Sequence, residues 1–249
     1  MLQTITRFLD YFGYLFSATD LHGVHSPFVF SLAKFVLYHK KDKRIESIEY
    51  QRTLMLKSNG NFHGNSLANF VDTYTLPAKY AFALNRLVSF LDIRKIQEYG
   101  QTTGIETNYL LNSPLLEKNV PILYRYLFEG KNIVKIKTNE QWLRNFPDLT
   151  SQINWSTNDI NMLPNSWDLH VVHLTHNSDE IWNFWETYQN KLHNHSIVVF
   201  TNIRNSDDHY LKWKQISNDP MVTVDIDLFR IGILFFRKEQ PKESFLLRY

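Results

Sequence analysis

Lys95-Ile96-Gln97-Glu98-Tyr99-Gly100-Gln101-Thr102-Thr103-Gly104-Ile105-Glu106-Thr107-Asn108-Tyr109-Leu110 reads as a short buried strand, a tight turn holding two glycines, and a helix that starts near Gly104. A turn of this kind lies at the carboxyl end of a strand and opens into a helix N-terminus, which is where open α/β sheets place nucleotide-like ligands. Glycine serves there because it allows positive φ and lets a ligand approach the backbone closely. Glu98, Gly100, Thr102 and Gly104 are therefore candidate cofactor contacts. Glycine pairs are common in strand-to-helix turns, so the rest of the chain must supply the context.

Towards the C-terminus, apolar runs alternate with helical spacing. Strands are expected over 132–137, 152–155, 168–174 and 196–201, with helices over 140–146 and 179–192 between them. Such alternation argues for a parallel sheet covered on both faces by helices. The ending breaks the rhythm: a helix over 207–217 is followed by strands over 221–228 and 231–237, joined by almost nothing. Phe229-Arg230 leaves room only for a tight hairpin, so the last two strands must be antiparallel.

Towards the N-terminus, Tyr80, Ala81, Leu84, Leu87, Val88 and Leu91 form a helical stripe over 76–91 that leads into the first strand. The stretch 57–66, rich in Asn, Gly and Ser, reads as a loop. The run His39-Lys40-Lys41-Asp42-Lys43-Arg44 suits a solvated loop or helix end better than a phosphate site. Residues 2–16 carry one apolar helical face. Its polar side offers only Arg7 and Asp10, not the basic side expected for anionic lipid, so docking on the domain is expected. In Leu21-His22-Gly23-Val24-His25-Ser26-Pro27-Phe28-Val29-Phe30, the two histidines could ligate a metal or handle protons, while Ser26 and Pro27 fit a helix start.

At 249 residues, 43% of them hydrophobic and 15% aromatic, the chain suits one α/β domain with an appendage. The expected division is an N-terminal helical extension or cover over 1–75 and the α/β domain over 76–249. A net charge of +2 gives no footprint for nucleic acid. The absence of cysteine excludes disulfides, thiolate metal sites and a cysteine nucleophile. No run is apolar enough to span a bilayer, and a cytoplasmic protein is expected.

These residues resemble a group of bacterial class I S-adenosylmethionine-dependent methyltransferases that bear an N-terminal His-Gly-Val-His-Ser-Pro-Phe-Val-Phe motif. The match is unbroken from His22 to Phe30. It continues through Pro77-Ala78-Lys79-Tyr80, Arg86-Leu87-Val88, the glycine turn, Val222 to Phe229, Phe235 to Gln240, and Leu247-Arg248-Tyr249. The resemblance implies a Rossmann-like, seven-stranded, mostly parallel sheet with a C-terminal antiparallel hairpin, and S-adenosylmethionine as the cofactor. The segment 21–30 would then cover the cofactor cleft, with Phe28 shielding the ligand.

The resemblance also implies acids at defined positions, and several are replaced. At the end of the second strand Lys137 stands where an acid would accept bonds from the ribose hydroxyls, and an ammonium has only donors. Asp159 is a candidate adenine contact. His173 aligns with the acid near the methyl-transfer site, and His176 keeps a histidine of the family. His173, His176 and His25 are the candidate catalytic bases. Thr201 and Asn202 replace an acidic pair, which takes carboxylate oxygens from the place that would hold a hard cation, so no metal is expected. Asn61-Phe62-His63-Gly64-Asn65-Ser66 likewise lacks an acid. Tyr99 could fill cofactor space or point away into the sheet. His170 and His173 differ by an odd number and face opposite sides of a strand, which argues against a histidine metal cluster.

Two functions follow from the resemblance. One is a degenerate, weakly active or inactive methyltransferase-fold protein that acts by binding another protein or a second copy, with the aromatic helix around Trp182 and Trp185 as a candidate surface. The other is an active methyltransferase with altered cofactor contacts acting on a small molecule or protein.

Overall fold

The computed structural model describes residues 2–38, 46–62, 65–93, 95–111, 122–129, 132–135, 168–175 and 177–249. The chain begins with α1 (Leu2–Ser17), a 3-10 turn, and α2 (Pro27–Leu32), which runs into a π-helical turn over Ala33–Leu37. Pro27 occupies the first turn of α2 as the sequence suggests, but the Ser26 hydroxyl makes no capping bond. It lies instead 3.5 Å from Nε2 of Gln240. Next come α3 (Glu46–Leu56), the two-residue strands β1 (Asn61–Phe62) and β2 (Asn65–Ser66), and α4 (Leu67–Tyr74). Then α5 (Ala78–Phe90) leads into β3 (Lys95–Tyr99), the glycine turn and α6 (Ile105–Leu111).

Beyond it lie β4 (Ile122–Glu129), β5 (Asn132–Lys135), β6 (Leu169–His173), α7 (Asp179–Tyr188) and β7 (Ile197–Thr201). The chain closes with α8 (Asp207–Ser217), β8 (Val224–Asp227), β9 (Ile231–Phe235) and β10 (Glu243–Leu246). α8 starts where its sequence says it should. Ser206 accepts a bond from the His209 amide at 3.2 Å, Asp207 and Asp208 occupy the positive end, and Lys214 lies in the last turn.

The main sheet has the order β10-β8-β9-β7-β6-β3-β4-β5. Strands β4, β3, β6 and β7 run parallel, and β9 enters antiparallel between β7 and β8. The expected hairpin is present: Phe229 turns it at φ 72, held by its amide donating to Oδ1 of Asp227 at 2.8 Å. Chain order reverses at β3, whose successor β4 lies on one side and β6 on the other, so the switch point falls between β3 and β6.

The described sheet has eight strands where seven were expected. β10 adds to the β8 edge, and Thr19 then pairs beside Leu247, so the connector after α1 joins the same edge. The expected strand over 132–137 is present as β5, but it pairs antiparallel with β4, which the sequence reading passed over. The strand parallel to β3 is therefore β4, and it ends at Glu129. The expected helix over 140–146 and strand over 152–155 lie outside the described residues, as does the run 39–44.

Helices line two apolar cores. One face of the sheet packs with α2, α4, α5 and α6 around Leu32, Val71, Leu84 and Ile96, so the N-terminal segments share a core with the sheet. The other face packs with α7 and α8 around Tyr99, Phe184, Phe200 and Trp213. Gly232 makes the second packing possible, since a Cβ there would lie 2.6 Å from the Trp213 ring. α1 docks only in part: Tyr14 is buried, whereas Phe8, Phe12 and Phe16 stay exposed.

Candidate site at the sheet switch point

Gly100 and Gly104 both adopt φ +87, as a turn at this place requires. They do so for different reasons. A Cβ on Gly100 would stand 2.3 Å from the carbonyl oxygen of His173, so its bare backbone lets β3 and β6 close on each other. A Cβ on Gly104 would meet nothing within 4 Å, so this glycine faces open space. The Thr102 hydroxyl accepts from the Gly104 amide at 3.2 Å and donates to Oε2 of Glu106 at 3.1 Å. The other oxygen of Glu106 accepts from the Leu76 amide at 2.6 Å, which ties the loop after α4 to the turn.

Glu98 is fully buried on β3. Its Oε1 lies 3.0 Å from Nε2 of His173, and its Oε2 accepts from the Thr107 hydroxyl at 2.8 Å. His173 is itself nearly buried at the carboxyl end of β6, so the strand order brings the two groups together across the switch point. Glu180, in the first turn of α7, accepts from the amide and hydroxyl of Thr175 at 3.2 and 3.4 Å. Burial raises its pKa to about 7, against the lowering effect of the Thr175 bonds and of nearby His173. The imidazole of His173 thus has the Glu98 carboxyl group 3.0 Å from Nε2 and a proton-retaining acid nearby.

The next strand spends its polar ends on the fold. Thr201 accepts from the Leu174 amide at 3.4 Å, and Asn202, at φ 54, donates through Nδ2 to the Tyr74 carbonyl at 2.7 Å. Oδ1 of Asn202 is buried with no partner among the described residues. No group of three or more potential metal ligands occurs among the described residues.

Tyr99 does not enter the crevice. It points to the opposite face, where its ring meets Phe184 and Tyr188 at 5.0 Å and His170 at 6.2 Å. His170 and His173 do face opposite sides, as their spacing predicts. The segment 21–30 is not the cover it was expected to be. Phe28 packs edge-to-face on Phe235 at 5.0 Å, and Phe235 pairs with Ile197 at the start of β7, the end of the sheet remote from the crevice. His25 lies in this segment and is exposed, so it does not join His173. The reason is the apolar run that follows it: Val29 and Leu32 bury against the lower part of the sheet and carry the histidines with them.

His176, Lys137 and Asp159 lie outside the described residues. Lys137 would fall at the ribose only if 132–137 ran parallel beside β3, and β4 takes that position instead. Glu106, Thr107 and Glu180 are site residues that the motif reading does not single out. Each has a local signal, being a polar group in the first turn of a helix that follows a strand, but their partners are set only by the strand order.

No protein-family model matches the chain, and no curated protein matches it significantly. Solved structures do. The SAH-bound methyltransferase PaMTH1 of Podospora anserina superposes with a TM-score of 0.54 at 12% identity, over 85% of this chain and 94% of that one. Cofactor-bound Rv0187 from MTB gives 0.51 at 11% identity, over 87% and 99%. The O-methyltransferase from Bacillus cereus in complex with SAH gives 0.50 at 14% identity, over 82% and 95%. The chain has the class I methyltransferase fold. At these identities the likeness is one of architecture.

Proposed function

We propose that this protein binds an S-adenosyl ligand at the switch point between β3 and β6 and acts chiefly through that binding, with little or no methyl transfer. The observation that carries the reading is the buried Glu98–His173 pair. It holds the two groups at the centre of the crevice against each other at 3.0 Å and keeps both from solvent. Thr201 and Asn202 are likewise committed to backbone partners, which leaves no acidic pair at the end of β7 for a divalent ion.

The turn suits the ligand. Gly104 faces open space, the amino-terminal end of α6 follows it, and Oδ1 of Asn202 is a buried acceptor available to a ligand donor. S-adenosylmethionine, when bound, brings an electrophilic methyl group. Binding of the adenosyl part would fall to the turn and Asn202, and Glu98 would hold the His173 ring in place.

Calorimetric titration with S-adenosylhomocysteine tests this directly. Micromolar binding is expected, weakened about fivefold in Asn202→Leu, the worth of one neutral hydrogen bond. No heat and no thermal shift at millimolar ligand would overturn the reading.

A second reading, active transfer, is favoured by one feature. An imidazole oriented by a buried carboxylate is also the arrangement of a general base. Turnover of a phenol or thiol acceptor that disappears in His173→Asn, with ligand affinity intact, would establish it in place of the first.

A further inference from the structure

Two motifs that the crevice does not use meet elsewhere on the molecule. Pro77-Ala78-Lys79-Tyr80 opens α5 and Leu247-Arg248-Tyr249 closes the chain. The Tyr249 hydroxyl donates to the Lys79 carbonyl at 2.7 Å, and the Tyr80 and Tyr249 rings pack edge-to-face at 5.3 Å. The Lys79 ammonium lies 4.3 Å from the centre of the Tyr249 ring. Beside this junction is a cavity of about 520 Å³, within the usual size of small-molecule sites.

Its floor is apolar: Leu37 and Phe82 are buried, and Leu15 and Tyr11 of α1 form one wall. Its rim carries two cations. Lys79 has no carboxylate within ion-pair distance among the described residues, and partial burial lowers its pKa. The Arg248 guanidinium donates to the Leu15 and Ala18 carbonyls at 2.7 and 3.3 Å, which fixes its position and leaves its charge without a carboxylate among the described residues.

The apolar lining does not stop at the wall. At about 100° per residue, Phe8, Phe12 and Phe16 follow Tyr11 and Leu15 around α1 without a polar break. They are 61%, 41% and 85% exposed, so an uncovered lane runs from the cavity along the helix. Two fixed cations above an apolar floor, continued by an apolar lane, match a molecule that is anionic at one end and hydrocarbon for the rest.

We propose that this cavity binds a single-chain anionic amphiphile, its carboxylate or phosphate head between Lys79 and Arg248 and its tail over Leu37 and Phe82 and out along α1. The site is separate from the crevice and does not depend on what the crevice binds.

Displacement of a fluorescent fatty-acid probe from the full-length protein tests the proposal, with laurate below its micelle concentration as competitor and dodecanol as its uncharged counterpart. Laurate is expected to displace the probe saturably, and Lys79→Glu to weaken it about tenfold by turning attraction into repulsion. Dodecanol should bind more weakly than laurate and be indifferent to that change. Lys79→Met, which keeps the apolar stem, should fall between, and its unchanged circular dichroism would separate a lost charge from a lost fold. Equal laurate affinity in all three proteins, equal affinity for laurate and dodecanol, binding only to phospholipid vesicles, or no saturable displacement would each overturn it.

Discussion

His170 and His173 stand three residues apart on β6, and the two faces of the sheet make different things of them. On one face His170 is enclosed by Tyr99, Phe184 and Tyr188, and its Nδ1 has no partner among the described residues. Burial drives its pKa from 6.5 to about 3, with nearby His193 adding to the shift, so it is a neutral packing group. On the other face His173 meets Glu98 at 3.0 Å. One histidine is spent on aromatic packing, and the other answers a polar group across the switch point.

The comparison can be broken at its hinge. Gly100→Ala would drive a methyl group into the His173 carbonyl in addition to straining φ, and is expected to cost more than about 4 kcal/mol or to prevent folding. Soluble yield and chemical denaturation would show it. Gly104→Ala carries the same φ but no clash, so about 1–2 kcal/mol is expected there. Near-equal losses would mean that the close approach of β3 to β6 has been misjudged.

On the aromatic face, Phe184→Ala removes a ring in contact with Tyr99, His170, Tyr188 and Phe200 and should cost about 3–5 kcal/mol. It should leave affinity for S-adenosylhomocysteine unchanged, because the Phe184 ring packs on the Tyr99 face, away from Glu98 and His173. A parallel loss of affinity would show that the two faces are coupled.

Acidity offers a finer test. His170 binds its proton more weakly folded than unfolded, so its contribution to stability is complete above pH 6.5 and is lost as the pH falls towards 3. Glu180 is the reverse: its raised folded pKa stabilises the protein below pH 4.5, and that contribution is lost as the pH rises towards 7. Between 4.5 and 6.5 the two slopes oppose, each about 1.4 kcal/mol per pH unit. Relative to the parent protein, His170→Leu should gain stability on acidification across this window, and Glu180→Gln should lose it. Urea midpoints at pH 6.5 and 5 would decide, and a shift of the same sign in both variants would contradict these placements.

How much of this was legible follows the same division. The glycine turn, the antiparallel hairpin and α8 were readable because each is specified by neighbours in sequence: two glycines after an apolar run, a connection too short to cross over, a serine followed by two aspartates. The faces of His170 and His173 were readable from strand alternation alone. Pairings across the sheet were not. The β-branched pair in Asn132-Ile133-Val134-Lys135 looks like a strand, and it is one, but no local feature says that it runs against β4 rather than alongside β3. Glu98 and His173 are 75 positions apart and meet only because β6 lies beside β3. Likewise Glu243-Ser244-Phe245-Leu246 is too short to declare itself, and becomes β10 only where β8 offers an open edge.

That last strand fastens the chain to its own beginning. The Tyr14 hydroxyl donates to the Leu247 carbonyl, and the amides of Thr19 and Arg248 exchange bonds with the carbonyls of Leu246 and Thr19 at 2.9 and 2.8 Å. During synthesis α1 is made before these docking partners, and Leu247 follows Tyr14 by 233 positions. Until then Tyr14 has no place to go, and a nascent chain in that state is the kind of species chaperones hold. α1 therefore waits for β10 and the residues after it before it can take its place.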